Sequence, residues 1–182
     1  MIPRRDPEHT RERLLRAAID FVSSNGAANL TLDAVATCAG VSKGGLLHHF
    51  PSKQALVHAL MERIAKTFAN RLQYHLDAEA GATPGRWTRA YINASFEYEP
   101  DELKLTSAIA TVVSSDPALV HVLQSQFAWI DERIENDGLP AARATAIRLA
   151  CDGLWISELL ELSTVQNPLR SSVRQALMEM TR

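Results

Sequence analysis

The sequence predicts an all-α fold, and three observations predict it. Apolar residues recur at helical spacing along most of the 182 residues, and no stretch alternates for long at period two. Aromatic residues make up only 6% of the chain, while Ala and Leu are plentiful. Capping residues, glycines and prolines punctuate the apolar stripes at intervals suited to about nine helices.

The first helix is signalled by Asp6 as cap and Pro7 at its first position. Leu14, Ala18 and Phe21, with Leu15, Ile19 and Val22, form one apolar stripe, and Gly26 is its stop. Thr31 caps a short second helix, with Leu32, Val35 and Ala36 facing inward, and Gly40 ends it in the left-handed conformation. Val41 fills the corner, Ser42 caps the third helix, and Leu46 and Phe50 share its buried face. Pro51 stops that helix. Ser52 caps a long fourth helix reaching about Glu79, along which Leu56, Leu60, Ile64, Phe68 and Leu72 recur in steps of four.

"AGATPG", residues 80–85, reads as the clearest linker. Five helices are expected after it. They run from Arg86 to Glu99, from Asp101 to about Ser114, from Pro117 to the break at "NDGLP", from Pro140 to Leu162, and from Leu169 to the end. Between Ile147 and Leu162 the eighth is apolar on nearly every side, so it must bury two faces. The expected division is an N-terminal part at 1–51 and a C-terminal part at 52–182, with helix 52–79 as connector.

Composition and charge narrow the function. Residues 1–71 carry ten Lys+Arg against six Asp+Glu, and residues 72–182 carry nine against fifteen. A basic front on an acidic rear suits an anion-binding N-terminal part. The two cysteines, Cys38 and Cys151, lie far apart and suit a reducing compartment. With no signal peptide or apolar span, a cytoplasmic protein without a membrane partner is expected. There is no Gly-rich phosphate loop, nucleophile elbow or cluster of metal-ligand residues. His48 and His49 are adjacent and diverge by about 100° on a helix, so they make no chelating pair. Neither an enzyme nor a cofactor is expected, and no metal site.

Helix, "GVS" corner, helix is a helix-turn-helix pattern, and the N-terminal end of its second helix would enter the major groove. That end is Ser42, Lys43, Gly44, Gly45. The stretch "LTLDAVATCAGVSKGGLLHHFPSKQALVHAL" resembles the DNA-binding signature of the TetR family of transcriptional repressors, specifically from about Arg11 to Leu60. The family's common form is roughly G-V-S-x-x-T-L-Y-x-H-F-x-x-K. This chain keeps Val41, Ser42, Leu46, His49, Phe50 and Lys53, and departs at Gly45 (Thr is usual) and Leu47 (Tyr is usual).

The resemblance implies phosphate contacts by His49 and Lys53. Lys43 is the candidate for reading a guanine edge, with a phosphate contact as the alternative. Leu47 offers apolar contact to a thymine methyl. Thr31, Ser42, Gly44, Gly45 and His48 complete the candidate DNA-binding set, and Arg4 and Arg5 are a candidate arm. Gly44 and Gly45 each cost up to about 1 kcal/mol in a helix. Close backbone approach to DNA is the expected reason for them, so Gly45→Ala is expected to stabilise the free protein.

The resemblance also implies an effector pocket and a homodimer built on the last two helices. "CDGLWISELLE" resembles a subgroup of the family linked to multidrug-efflux control. Candidate pocket residues are Trp87, Tyr91, Tyr98, Ile109, Phe127, Trp129, Trp155 and Glu158; aromatic walls with one acid suit an apolar or cationic ligand. Candidate dimer residues are Leu154, Ile156, Leu160, Leu169, Val173 and Leu177. The expected mechanism is a repressor on a palindromic operator: an effector shifts the Ser52 helix, changes the spacing of the reading heads and releases DNA. A protein-binding helical adaptor that has lost its operator is the alternative.

Overall fold

A computed structural model describes residues 7–79, 81, 83–114, 116–162 and 165–182; the side chains of residues 27, 100, 111 and 126 are not described. The expected cap Asp6 and arm residues Arg4 and Arg5 lie outside the described residues. Among the described residues there are nine α-helices and no strand. They are α1 (Pro7–Asn25), α2 (Leu32–Ala39), α3 (Lys43–His49), α4 (Lys53–Ala78), α5 (Arg86–Phe96), α6 (Pro100–Val113), α7 (Pro117–Glu135), α8 (Ala141–Leu159) and α9 (Leu169–Glu179). A 3-10 turn, Ala27–Asn29, follows α1. None of these helices is long and apolar enough to cross a membrane.

Local signals set the N-terminal helices. The Thr31 hydroxyl accepts from the Ala34 amide at 3.2 Å and caps α2. Gly40, at φ 62°, ends α2 while the Val41 amide donates to the Ala36 carbonyl, a turn that an L side chain would strain. Ser42 caps α3 through the Gly45 amide at 3.2 Å, and Ser52 caps α4 through the Ala55 amide at 3.1 Å. At its far end α3 closes with the Phe50 amide donating to the Leu46 carbonyl at 2.8 Å, just before Pro51.

The chain packs as two compact units. The first runs to Ile64 and also takes in Lys104–Leu123; the second comprises Ala65–Leu103 and Gln124–Arg182. This differs from the division expected after residue 51. The reason is burial. Leu56, Val57, Leu60 and Met61 of α4 join the core of α1–α3, and Leu105, Ile109, Val113 and Leu119 of α6 and α7 complete it. Three short helices alone bury too small a fraction of their surface to be stable.

The second unit has its own core, with Leu72 of α4, Trp87, Tyr91 and Ile92 of α5, Ile130 and Ile134 of α7, Ile147 and Cys151 of α8, and Leu177 of α9. Burial pushes the Cys151 thiol up to about 12, so it stays protonated. The α5 helix ends at Phe96, three residues short of the expected Glu99, and α8 ends at Leu159 rather than Leu162.

Candidate nucleic-acid interface and effector region

α2, the Gly40–Ser42 corner and α3 form a helix-turn-helix. Its buried side is fixed by Val35, Ala36, Leu46 and Phe50, all in the first core, as expected for Leu46 and Phe50. Arg13 donates to the Ala39 carbonyl at 2.6 Å and ties α1 to the end of α2. The Arg11 guanidinium lies 5.4 Å from the centre of the Phe50 ring.

The exposed side of α3 presents Lys43, Gly44, Leu47 and His48, with Leu47 37% exposed and Gly45 half-buried beside them. His49 and Lys53 are half-buried. The hydroxyls of Thr31 and Ser42, both in the candidate set, act as helix caps.

Sequence reasoning missed two features of this face. Lys43 is not free: its ammonium sits 3.0 Å from the Asp33 carboxylate, on the first turn of α2. Both side chains are largely exposed, and such a pair contributes roughly 0–1 kcal/mol. A phosphate or base can therefore displace Asp33 at little cost. A ten-residue separation across a corner carries no periodic signal, which is why the pairing was not legible. The second feature is a cavity of 410 Å³ bounded by Arg11, His49, Phe50, His58 and Leu119; of the predicted site residues it holds only His49.

Gly45 has a reason of its own. A Cβ there would lie 2.9 Å from Val41 Cγ1 and 3.2 Å from the Ser42 hydroxyl that caps the helix, whereas one on Gly44 would meet nothing within 4 Å. The expectation that Gly45→Ala stabilises the protein is therefore corrected: the corner itself crowds position 45.

The predicted effector residues separate on inspection. Ile109 is a correction: it is buried in the first core, apart from the aromatics it was grouped with. Trp87 stacks on Tyr91 with ring centres 5.8 Å apart and meets Trp129 edge-on at the same distance, while Phe68 meets Tyr91 at 5.7 Å. Phe127 packs against this core. Tyr91 is 5% exposed and its hydroxyl donates to Asp152, on α8. Burial, with Asp152 adding to it, raises the Tyr91 phenol far above its usual range. Trp155 stands 36% exposed.

Glu158 and Tyr98 belong to a different cluster. Glu158 is ion-paired with Arg170 of α9, whose guanidinium carbon lies 5.2 Å from the ring centres of both Phe96 and Tyr98.

Of the candidate dimer residues, Ile156, Leu160 and Leu169 are exposed. Leu154 and Val173 are half-buried, and Val173 packs against the second core. Leu177 is a correction: at 7% exposure it is part of that core, because the inner face of α9 turns toward α5. The outward stripe of α8 instead consists of Ala142, Thr145, Leu149, Gly153, Ile156 and Leu160, all exposed and all on one helical face opposite Ile147 and Cys151.

Comparison with known proteins decides the family. Residues 14–60 match the model for bacterial regulatory proteins of the tetR family, and residues 85–182, more than half of the chain, match the tetracyclin repressor-like C-terminal domain. The chain belongs to the TetR family of transcriptional regulators.

Among curated relatives, the HTH-type transcriptional regulator BetI of Stenotrophomonas maltophilia (strain R551-3) is 31% identical over 87 residues, covering 48% of this chain and 44% of BetI. The chain thus spans about half the length of such relatives. Two solved structures show the same TetR fold. A putative transcriptional regulator from Pseudomonas aeruginosa PAO1 aligns with a TM-score of 0.76 at 22% identity, over 97% of this chain and 91% of that one. The multidrug binding protein EbrR, complexed with malachite green, aligns with a TM-score of 0.70 at 22% identity, over 94% and 98%.

Proposed function

We propose that the protein is a sequence-specific, DNA-binding repressor that a small apolar or cationic effector releases from a palindromic operator. The observation that carries the DNA-reading part is the exposed face of α3. It is slim at Gly44 and Gly45, charged at Lys43, flanked by His48, His49 and Lys53, and held on a buried Leu46–Phe50 edge. A helix of that kind presents its N-terminal residues to base edges, while the flanking cations neutralise phosphates. Leu47 supplies an apolar contact, and much of the sequence preference then comes from DNA shape.

The dimer rests on the outward α8 stripe and the exposed Leu169 of α9. The small residues Ala142 and Gly153 let a second α8 approach closely, and the stripe is self-complementary about a two-fold axis. Two reading heads then match an inverted repeat with half-sites about 34–36 Å apart. The effector class is supported by the rear aromatics and Glu158, and by EbrR, which is known as a complex with malachite green and with ethidium.

Selection of binding sites from random DNA tests the reading. Enrichment of an inverted repeat is expected, with Lys53→Ala weakening all sequences alike and flattening the salt dependence by about one unit of slope. Failure to enrich any site at moderate salt would favour the adaptor alternative. Adding ethidium to the selected complex tests release; unchanged DNA affinity while the dye binds would overturn the effector mechanism.

A further inference from the structure

The Arg170 cluster has the chemistry of a cation receptor whose cation is part of the chain. Glu158 projects from the inner face of α8 with its side chain only 9% exposed, and Arg170 neutralises it with a side chain 20% exposed. A carboxylate so placed needs a cation beside it. The guanidinium also donates to the Phe96 carbonyl at 3.3 Å and lies against the Phe96 and Tyr98 rings. Aromatic faces beside a carboxylate favour a planar, weakly hydrated cation over a compact ammonium.

Two further observations show that Arg170 fills this place imperfectly. It is the second residue of α9, at the positive end of the helix dipole, where a cation is disfavoured. The Tyr98 hydroxyl is buried and has no hydrogen-bond partner among the described residues, so one polar group of the cluster is left unserved.

We propose that Phe96, Tyr98 and Glu158 form a binding site for an aromatic cation of the amidinium or guanidinium class, which Arg170 occupies in the unliganded protein. An incoming amidinium pairs with Glu158, lays its ring on the aromatic side chains and donates its remaining N–H to the Tyr98 hydroxyl. Arg170 is displaced toward solvent, which removes the tie between the first turn of α9 and both α8 and the end of α5. The site deepens the effector reading, on which its regulatory meaning rests, by naming the ligand class and the side chain that competes with it.

The test is calorimetric titration of the full chain with benzamidine, in the absence of DNA. Arg170→Ala is expected to bind at least ten-fold tighter than the wild type, and adding Glu158→Gln to that variant should abolish the gain. Arg170→Lys keeps a cation beside Glu158, and with it the fold, but lacks the planar fork; it is expected to tighten binding about three-fold. Ethylguanidinium should raise the melting temperature of Arg170→Ala and leave that of the wild type unchanged. Binding to Arg170→Lys and Arg170→Ala within two-fold of the wild type, or a gain that survives Glu158→Gln, would overturn the site. If the expected pattern appears while benzamidine leaves operator affinity unchanged, the site stands and the effector reading falls.

Discussion

Helices α2, α3 and α4 carry their own side-chain caps, and α5, α8 and α9 do not. α2, α3 and α4 are capped by Thr31, Ser42 and Ser52, each bonding an amide three residues on. α5 has no side-chain cap of its own. Its Trp87 and Thr88 amides donate instead to the Asp137 carboxylate, about fifty residues later in the α7–α8 connection, at 2.9 and 2.7 Å. The Thr88 hydroxyl donates to the same carboxylate at 2.7 Å. Tyr91 to Asp152, Arg170 to the Phe96 carbonyl and Arg174 to Asn93 extend the pattern over separations of 61 to 81 residues. Local caps fix the start of each of α2, α3 and α4 from residues beside it. Distant polar ties couple helices α5, α7, α8 and α9, the arrangement a ligand-responsive unit needs.

The largest expected effect tests the front. Phe50 is 2% exposed and closes α3 against the first core. Phe50→Ala should cost about 3–5 kcal/mol in urea unfolding, mostly through the cavity it leaves. A loss below about 1 kcal/mol would mean that the reading head is not held by its core.

Next comes the rear tie. Asp137→Ala removes the acceptor of three donors around the fully buried Thr88, and should cost about 2–4 kcal/mol. Asp137→Asn should cost less, because its side-chain oxygen can still accept. Exchange of the Trp87 and Thr88 amides with deuterium should accelerate in the Ala variant while that of the Ala34 and Gly45 amides stays unchanged. Equal acceleration in both sets would erase the contrast between local and distant capping.

That contrast also explains what was legible in the sequence. Caps, the left-handed glycine and stripes such as Leu46–Phe50 are encoded within four residues, so the front was readable helix by helix. The nine helices among the described residues and the inward faces of α2 and α3 followed from the same periodicity. Asp137 as a remote cap, Arg170 beside Glu158, and Ile109 in the front core depend on tertiary packing that no spacing announces. Leu177 was misplaced for a related reason: the apolar stripe of an amphipathic helix shows which face is buried, not whether its own core or a second chain buries it. The compact units broke differently from the expected domains because the apolar face of α4 recruits Leu105, Ile109 and Leu119 from α6 and α7.

A smaller effect separates the two glycines. Gly44→Ala should stabilise the protein by up to about 1 kcal/mol, since its new methyl meets nothing. Gly45→Ala should gain less, or destabilise, because Val41 and the capping Ser42 must shift. Thermal melts of both variants decide this, and a Gly45→Ala gain equal to that of Gly44→Ala would restore DNA approach as the main reason for the second glycine. If Gly44→Ala stabilises the protein yet weakens operator binding, close backbone approach applies at position 44.

The smallest effect concerns a front ion pair, and it carries a sign in pH. Glu12 of α1 accepts from Arg63 of α4 at 2.6 Å and from Arg16 at 3.0 Å. The Arg63 hydrogen bond chiefly, with Arg16 assisting, lowers the Glu12 pKa below its ordinary value. A depressed carboxylate contributes stability above its unfolded pKa and loses it as pH falls through the lower folded value. The side chain is 39% exposed, so solvent screening holds the contribution below about 1 kcal/mol. Glu12→Gln should therefore be slightly less stable than the wild type at pH 7, the gap narrowing with added salt and closing as acid protonates Glu12. A gap that persisted in acid would assign the loss to packing of the side chain rather than to its charge.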